Sequence, residues 1–410
     1  MRKPSQLAPR DVGRMTETRG TAAPGPGVRR MIACAAALTL FASVAGAGAP
    51  RPGDDLIADG PVVLDPAARL LDGDGASEYW TLFIELDSGH RITQRFLLSN
   101  AGPGQHTAVA VGHLSEPRRA PYRYQNGRRR PRWTLSEDRL FFDIGASHLD
   151  LHRPTGELRI TKDDIEIRLF FDFRESGLAA RIPSDRLPKG YHIDVLSVGA
   201  ATHGTLHAPW MDAPIEARGR TWLAHTWTNR DEAKAVSRRV EVYGYENGAA
   251  FFGLQVTNAE RSERAGHLAS PGGGYFIDSG INVPASWTEG EPAPSARPAP
   301  DYPLPRSFAF SGETRAGQIT LGHEWLRFDP LAVIPQPFRW FIRRRTRPRE
   351  VWAEARIRVT VLKAPETPSL PQAGKTESAS NSKRETEDEA AQRSVAGVAS
   401  ITFMNPIGRR

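Results

Sequence analysis

Ile165–Phe173 reads IEIRLFFDF. Ile165, Ile167, Leu169, Phe171 and Phe173 fall on one side, and Glu166, Arg168 and Asp172 on the other. That period of two is the pattern of a half-buried antiparallel strand. The pattern returns near the C-terminus, where Ala355, Ile357, Val359 and Val361 alternate with Glu354, Arg356, Arg358 and Thr360. Strands are also expected at Tyr79–Asp87, Arg91–Ser99, Thr107–Leu114, Arg139–Ile144, Glu157–Thr161, His192–Val198, Thr221–Trp227, Arg238–Tyr245, Ala249–Thr257 and Gln318–His323. Asp87-Ser88-Gly89, Pro154-Thr155-Gly156 and Glu246-Asn247-Gly248 supply hairpin-type turns between them.

Helical periodicity is confined to short pieces such as Glu232–Val236. Many short strands with few helices imply barrels or sandwiches rather than a βαβ fold. The expected class is all-β, in two antiparallel lobes that divide near residues 205–220: a first over 76–210 and a second over 211–362. Residues 48–75 form a leader, and the proline-rich stretch 288–306 an extended loop of the second lobe. Residues 363–410 read as a mostly disordered tail, rich in Pro, Ser, Glu and Lys up to about residue 395. Within it, Val398–Met404 reads either as a last strand or as part of the tail.

The 410 residues include 54 Lys+Arg, 47 Asp+Glu and one Cys. A net charge of +7 suggests a polyanionic partner until its location is traced. Residues 1–30 carry Arg2, Lys3, Arg10, Arg14, Arg19, Arg29 and Arg30 against Asp11 and Glu17. Met31–Gly48, MIACAAALTLFASVAGAG, is uncharged and ends on the small-residue pattern Ala45-Gly46-Ala47. This is the layout of an export signal over 1–47, through either the general or the twin-arginine route, with an uncleaved membrane anchor as the alternative. Removing 1–47 leaves 47 basic against 45 acidic residues, and takes the one Cys away as well. A near-neutral exported chain, expected in the periplasm, excludes a disulfide framework and gives no reason to expect nucleic acid.

The spacing of His148-x3-His152 and His203-x3-His207 separates each pair by about 13 Å on a strand, too far to share a zinc ion. No metal site and no cofactor are expected. Gly102-Pro103-Gly104 and Gly272-Gly273-Gly274 lack the strand-to-helix context of a phosphate cradle and read as turns. Two arginine clusters, at 118–132 and at 339–349 beside Trp340, are either solvated loops or contacts to anionic lipid headgroups.

Thr202–Arg230 gathers Trp210, Trp222, Trp227, His203, His207 and His225. Alternation places Leu223, His225 and Trp227 on one face of Thr221–Trp227, with Trp222, Ala224 and Thr226 on the other. His225 either lines a cavity mouth or is a core histidine hydrogen-bonded near the seam between lobes.

Glu78–Leu114 resembles the first-lobe signature of the lipocalin-like superfamily that contains hydroxyneurosporene synthase (carotenoid 1,2-hydratase), AttH-like proteins and the survival-factor lipid-binding proteins. The residues carrying the resemblance are Tyr79-Trp80, Gly89, Gln94 and Ser99-Asn100-Ala101-Gly102-Pro103. Gly219–Trp227 resembles the second-lobe motif of that family, but Ala224 and Thr226 stand at its acidic and amide positions. The resemblance spans roughly residues 76–362 and implies two tandem lipocalin-like β-barrels with an apolar cavity for a hydrophobic small molecule, a lipid or an isoprenoid. Under it Trp80, Gln94, Asn100, Trp210, Trp222, His225 and Trp227 are the ligand-binding candidates, and His225 the catalytic one. The family includes carriers and catalysts. A carrier of a hydrophobic ligand is one expectation; a hydratase or isomerase of a polyene or terpenoid double bond is the other, and a structural envelope protein a third. A hydratase, which is a hydro-lyase, needs an acid to protonate carbon. With Ala224 before His225, the acid is left among Asp212, Glu216, Asp231 and Glu232.

Overall fold

The alternation at 165–172 is realised as a strand whose Ile165, Ile167, Leu169 and Phe171 are buried while Glu166 and Arg168 are exposed. The computed structural model describes residues 66–405, apart from 101–105, 129–131, 137–139, 153, 175–179, 185–186, 247, 259–272, 279–280, 291–301, 314, 334–335, 337, 345 and 363–391. The expected export signal, most of the leader and the interior of the proline-rich loop lie outside the described residues.

The first lobe contains β1 (Ser77–Leu86), β2 (Arg91–Ser99), β3 (Thr107–Ser115), β4 (Tyr122–Arg128), β5 (Thr134–Leu135), β6 (Leu140–Asp143), β7 (Ser147–His152), β8 (Thr155–Lys162), β9 (Ile165–Asp172), β10 (Ala180–Arg181), β11 (Tyr191–His207) and β12 (Ile215–Thr228). They form one antiparallel sheet in the order β4-β3-β2-β1-β12-β11-β9-β8-β7-β6-β5, with β10 paired to β11. The sheet curls on itself: Trp80 of β1 meets Phe142 of β6 edge to face at 5.7 Å. Asn126 of β4 donates to the carbonyl of Ile144, just past β6. Trp80, Leu82, Ile84, Phe96, Phe142 and Leu223 fill the enclosed face.

A single helical turn, α1 (Glu232–Ala235), leads into the second lobe, and the Asp231 side chain caps it by accepting from the Ala233 N–H at 3.1 Å. The second lobe contains β13 (Val236–Glu246), β14 (Ala249–Asn258), β15 (Gly273–Asp278), β16 (Ile281–Glu289), β17 (Ser307–Ser311), β18 (Arg315–Phe328), β19 (Arg349–Val361) and β20 (Gln392–Phe403). They close into an antiparallel barrel in chain order. A short helix α2 (Phe338–Arg343) lies in the connection from β18 to β19.

Three expectations are corrected here. Ile215–Thr228, placed in the second lobe by a boundary at 210/211, is β12 of the first sheet, paired with β1 and β11, so the lobes divide after Thr228. Gln392–Phe403, inside the stretch read as mostly disordered tail with Val398–Met404 open as a last strand, is β20 along its whole length, and it closes the second barrel between β13 and β19. Its register pairs Val398 with Tyr243 and Ile401 with Val240, which supplies the burial that the flanking polar sequence conceals. Gly273-Gly274, read as a turn, begins β15.

β1 and β12 are buried on both faces, which is why SEYWTLFIEL does not alternate cleanly. Their outer face packs against the second lobe, where Phe83 stacks on Trp352 at 5.5 Å and on Tyr243 at 5.0 Å. Trp222 belongs to this seam, its indole N–H donating to the Phe251 carbonyl at 3.1 Å. Charged groups are buried in the same seam. Arg95 pairs with Glu350 at 2.9 Å. Burial opposes ionisation of Glu350, but Arg95 and Arg239, together with the Trp352 indole, hold its carboxyl below the usual range.

His113 of β3 also faces the seam, packed on Phe328 at 4.4 Å. Burial pushes its imidazole down to about 4; Glu350 opposes the shift, and Arg123 and Arg95 reinforce it. The unfolded chain, whose histidine titrates near its ordinary 6.5, then binds more protons than the folded one between pH 6.5 and 4. Stability contributed by neutral His113 is present above pH 6.5 and is lost as pH falls through that window, by about 3 kcal/mol at its foot. Urea titrations at pH 7 and pH 4.5 check this: the drop between them should shrink by about 2 kcal/mol or more in His113→Gln. An unchanged drop would refute the assignment.

Candidate functional site

The ladder between β1 and β12 decides which side chains meet. Trp80 lies opposite His225, Glu78 opposite Trp227, and Leu82 opposite Leu223. All six therefore point to the enclosed face of the first lobe. His225 is completely buried, and its Nε2 lies 2.7 Å from Glu78 Oε1. Its ring stacks on Trp80, with centroids 4.6 Å apart and planes 12° apart, and sits 4.9 Å from Trp227. Asp194 of β11 pairs across the ladder with His225 and is itself held by Arg181 at 3.0 and 3.1 Å.

An N-terminal strap, residues 66–71, covers this end of the lobe. Its Arg69 N–H donates to both Glu78 oxygens, at 2.9 and 3.0 Å, and its Leu70 N–H donates to Oε2 at 3.2 Å. Leu70 has φ 47°, the left-handed conformation that turns successive N–H groups toward one anion. The Arg69 guanidinium lies 4.1 Å over the Trp227 ring. Trp80 Nε1–H donates to the Pro66 carbonyl at 3.1 Å, and Asn100 donates to the Leu71 carbonyl at 2.5 Å. Between strap and lobe remains a void of about 10 Å³, bordered by Leu70, Glu78, Asn100 and His106.

A carboxylate that accepts two backbone N–H groups is an acceptor for the third donor as well, so His225 Nε2–H donates to Glu78. His225 Nδ1 is then an acceptor. It is buried and has no hydrogen-bond partner. Such a pair can take a proton at Nδ1 while Glu78 stabilises the imidazolium, and return it, with two indole faces alongside.

Of the ligand-binding candidates, Trp80, Asn100, His225 and Trp227 come together at this end. Gln94 is on the same enclosed face but one inward rung deeper, opposite Leu82, where its Nε2–H donates to the Arg95 carbonyl at 3.2 Å. Trp222 points the opposite way, into the seam, as its odd spacing from His225 requires. Trp210 lies beyond the far end of β11, packed on Tyr122 at 5.3 Å and under the Arg119 guanidinium. The acid beside His225 is none of Asp212, Glu216, Asp231 or Glu232 but Glu78. Its signal was available: Glu78 shares the phase of Trp80, Leu82 and Ile84, so a strand buried on that face must bury the carboxylate with them. Among the described residues no three His, Cys, Asp or Glu side chains gather as a metal ion would require.

A second concavity lies where the lobes meet, a cleft of about 740 Å³ open to solvent. Trp222 and Tyr245 form its apolar wall, and Arg218, Arg220, Glu85 and Asp87 its charged rim. Arg220 is committed there, its guanidinium 4.4 Å over the Tyr245 ring.

No family model matches the chain, and no curated protein matches it. Solved structures do. A putative AttH protein from Nitrosomonas europaea superposes with a TM-score of 0.51 at 13% identity, over 84% of this chain and 99% of that one. Kievitone hydratase from Nectria haematococca gives 0.50 at 10% identity, over 84% and 93%. CghA gives 0.51 at 10% identity, over 87% and 98%. At these identities the likeness is one of fold. The chain has the two-lobe, lipocalin-like β architecture of AttH-like and hydratase proteins, as the resemblance in Glu78–Leu114 and Gly219–Trp227 implies.

Proposed function

We propose that this protein is an exported lipocalin-like carrier that takes a hydrophobic small molecule, a lipid or an isoprenoid, into the first lobe beside Trp80 and Trp227. The observation that carries the reading is His225 Nδ1, a fully buried acceptor without a partner at the strapped end of an apolar lobe. A buried acceptor left unpaired costs about 1–3 kcal/mol, which a ligand hydroxyl would recover. The void beside Glu78, about 10 Å³, holds at most one water, so entry of a ligand displaces residues 66–71. The strap is held by polar contacts that a ligand can compete with.

A second reading, a hydratase or isomerase of a polyene or terpenoid double bond, is favoured by the Glu78–His225 pair, an acid–base couple between two indole faces. A hydratase with the same fold, kievitone hydratase, is among the structural neighbours. Lipid extraction of the purified protein followed by mass spectrometry separates the two. A stoichiometric co-purified lipid, diminished in His225→Phe, supports the carrier. Hydration of a polyene that disappears in His225→Phe supports the enzyme, and neither result in the native protein refutes both. Export rests on residues 1–47 and is tested by the N-terminus of the cell-purified protein, expected just after Ala47.

A further inference from the structure

Residues 66–71 occupy the end of the first lobe as a ligand would. Ala68 and Leu70 pack on its apolar core, while the backbone beside them meets the polar groups of the lobe. Arg69 and Leu70 donate their N–H groups to Glu78. The Pro66 carbonyl accepts from Trp80 Nε1–H, and the Leu71 carbonyl accepts from Asn100 Nδ2–H. Leu70 stands in the left-handed region at φ 47°, which is strained for a leucine. The strap thus combines apolar side chains with a set of donors and acceptors, and part of it is held against its own preference.

Whatever takes the place of the strap inherits the same demands. Glu78 needs donors, since its bonded partners are the two strap N–H groups and His225. His225 Nδ1 needs one donor more. Trp80 Nε1–H and Asn100 Nδ2–H need acceptors. A carboxylate head supplies acceptors and no donor, and it sets a second negative charge beside Glu78. No cation is at hand to offset that charge: the Arg69 guanidinium leaves with the strap, and Arg181 is bound to Asp194. An ammonium head supplies donors and no acceptor. Adjacent hydroxyls supply both, without charge.

We propose that the first lobe selects ligands with a neutral, polyhydroxylated head, of the monoacylglycerol type, over fatty acids and fatty amines. This rests on the reading that the strapped end of the lobe takes a hydrophobic molecule. The head hydroxyls donate to Glu78 and His225 Nδ1 and accept from Trp80 Nε1–H and Asn100. The apolar tail takes the place of Ala68 and Leu70 against the core. Specificity of this kind comes from buried polar groups that a wrong head leaves unpaired, more than from the fit of the tail.

The test is equilibrium dialysis of the full chain against monooleoylglycerol, oleic acid and oleylamine, which share one tail. Each is delivered from cyclodextrin at about pH 8, where the acid and the amine are both ionised. A buried group left without a partner weakens binding about 5- to 150-fold. Oleate leaves two, Glu78 and His225, and should bind on the order of 100-fold more weakly than monooleoylglycerol. Oleylamine gains a charge pair with Glu78 but leaves Trp80 and Asn100 without acceptors, and should bind about tenfold more weakly. Glu78→Gln removes the negative charge, so the oleate deficit should shrink by about tenfold or more. Arg69→Pro deletes one strap N–H and leaves the lobe's own groups intact; it should tighten all three probes by a similar factor and keep their order. The order in the native chain decides even if Glu78→Gln fails to fold. Oleate or oleylamine binding as tightly as monooleoylglycerol, or a deficit unchanged in a folded Glu78→Gln, would overturn the selection and leave the carrier reading standing. Failure of all three probes to bind both the native chain and Arg69→Pro would overturn the two together.

Discussion

Glu78→Ala is expected to lower stability by about 3–5 kcal/mol, the cost of leaving three donors without their buried acceptor. The carboxylate is 2% exposed and is the acceptor for three donors: His225 Nε2–H and the backbone N–H groups of Arg69 and Leu70. Its removal leaves all three in a lobe packed with Trp80, Phe96 and Phe142, where water reaches none of them cheaply. Glu78→Gln keeps one carbonyl oxygen and should cost less, about 1–3 kcal/mol. Urea unfolding measures both, and amide exchange at Arg69 and Leu70 gives the local readout: both should exchange faster in either variant. A double-mutant cycle with His225→Phe then isolates the pair, with an expected coupling of about 1–3 kcal/mol. A loss below about 1 kcal/mol in Glu78→Ala would mean that the strap does not hold the carboxylate away from water.

The sequence made the fold legible where each strand has one wet face. Ile165–Asp172 and the alternating 354–361 are examples, and both were placed correctly. It misled where both faces are dry or where pairing is distant. β12 belongs to the first sheet through its ladders to β1 and β11, and Trp222, Ala224 and Thr226 on its outer face are buried as well. Periodicity reports that a strand exists, not which sheet it joins. β20 is only half legible for the opposite reason: Val398–Met404 reads as strand or tail because a long polar insertion precedes it, and its partners β13 and β19 are fixed only by barrel closure. In the site, His225 and Trp227 were read on one face, and the ladder to β1 adds Trp80 and Glu78 to it. The acid beside His225 is not its neighbour in the chain, because an antiparallel pair brings together residues 147 apart. The strap was not legible at all, since its contacts to Glu78 are made by backbone N–H groups, which carry no sequence signal.

Arg239→Met is expected to destabilise the junction of the lobes by about 3–5 kcal/mol and to split a single unfolding transition into two. Arg239 is 1% exposed and draws on elements from both lobes. Its Nη1–H groups donate to the Tyr79 hydroxyl of β1 and, at 3.0 Å, to the Tyr191 hydroxyl of β11. Its Nε lies 3.4 Å from Glu241, and Glu232 of α1 lies 3.7 Å from Nη1. Burial alone would weaken the charge; Glu241 above all, then Tyr79, Tyr191 and Glu232, hold the guanidinium well above its ordinary value. The same burial raises both tyrosines, so they stay neutral and donate to Glu232, Tyr79 at 2.6 Å and Tyr191 at 3.0 Å. Removing the guanidinium leaves the Glu241 carboxylate, 1% exposed, without its cation. Two opposing contributions meet here, Coulomb attraction and desolvation, and the partner's desolvation dominates once one charge is gone. Arg239→Met/Glu241→Leu should for that reason recover most of the loss, because an apolar pair of similar volume carries no orphaned charge. Calorimetry of the two variants is decisive. Two resolved transitions in Arg239→Met that merge again in the double variant would show that the buried network holds the lobes as one cooperative unit. A single transition at the native midpoint in Arg239→Met would instead assign that role to the Phe83, Trp222, Tyr243 and Trp352 stack alone.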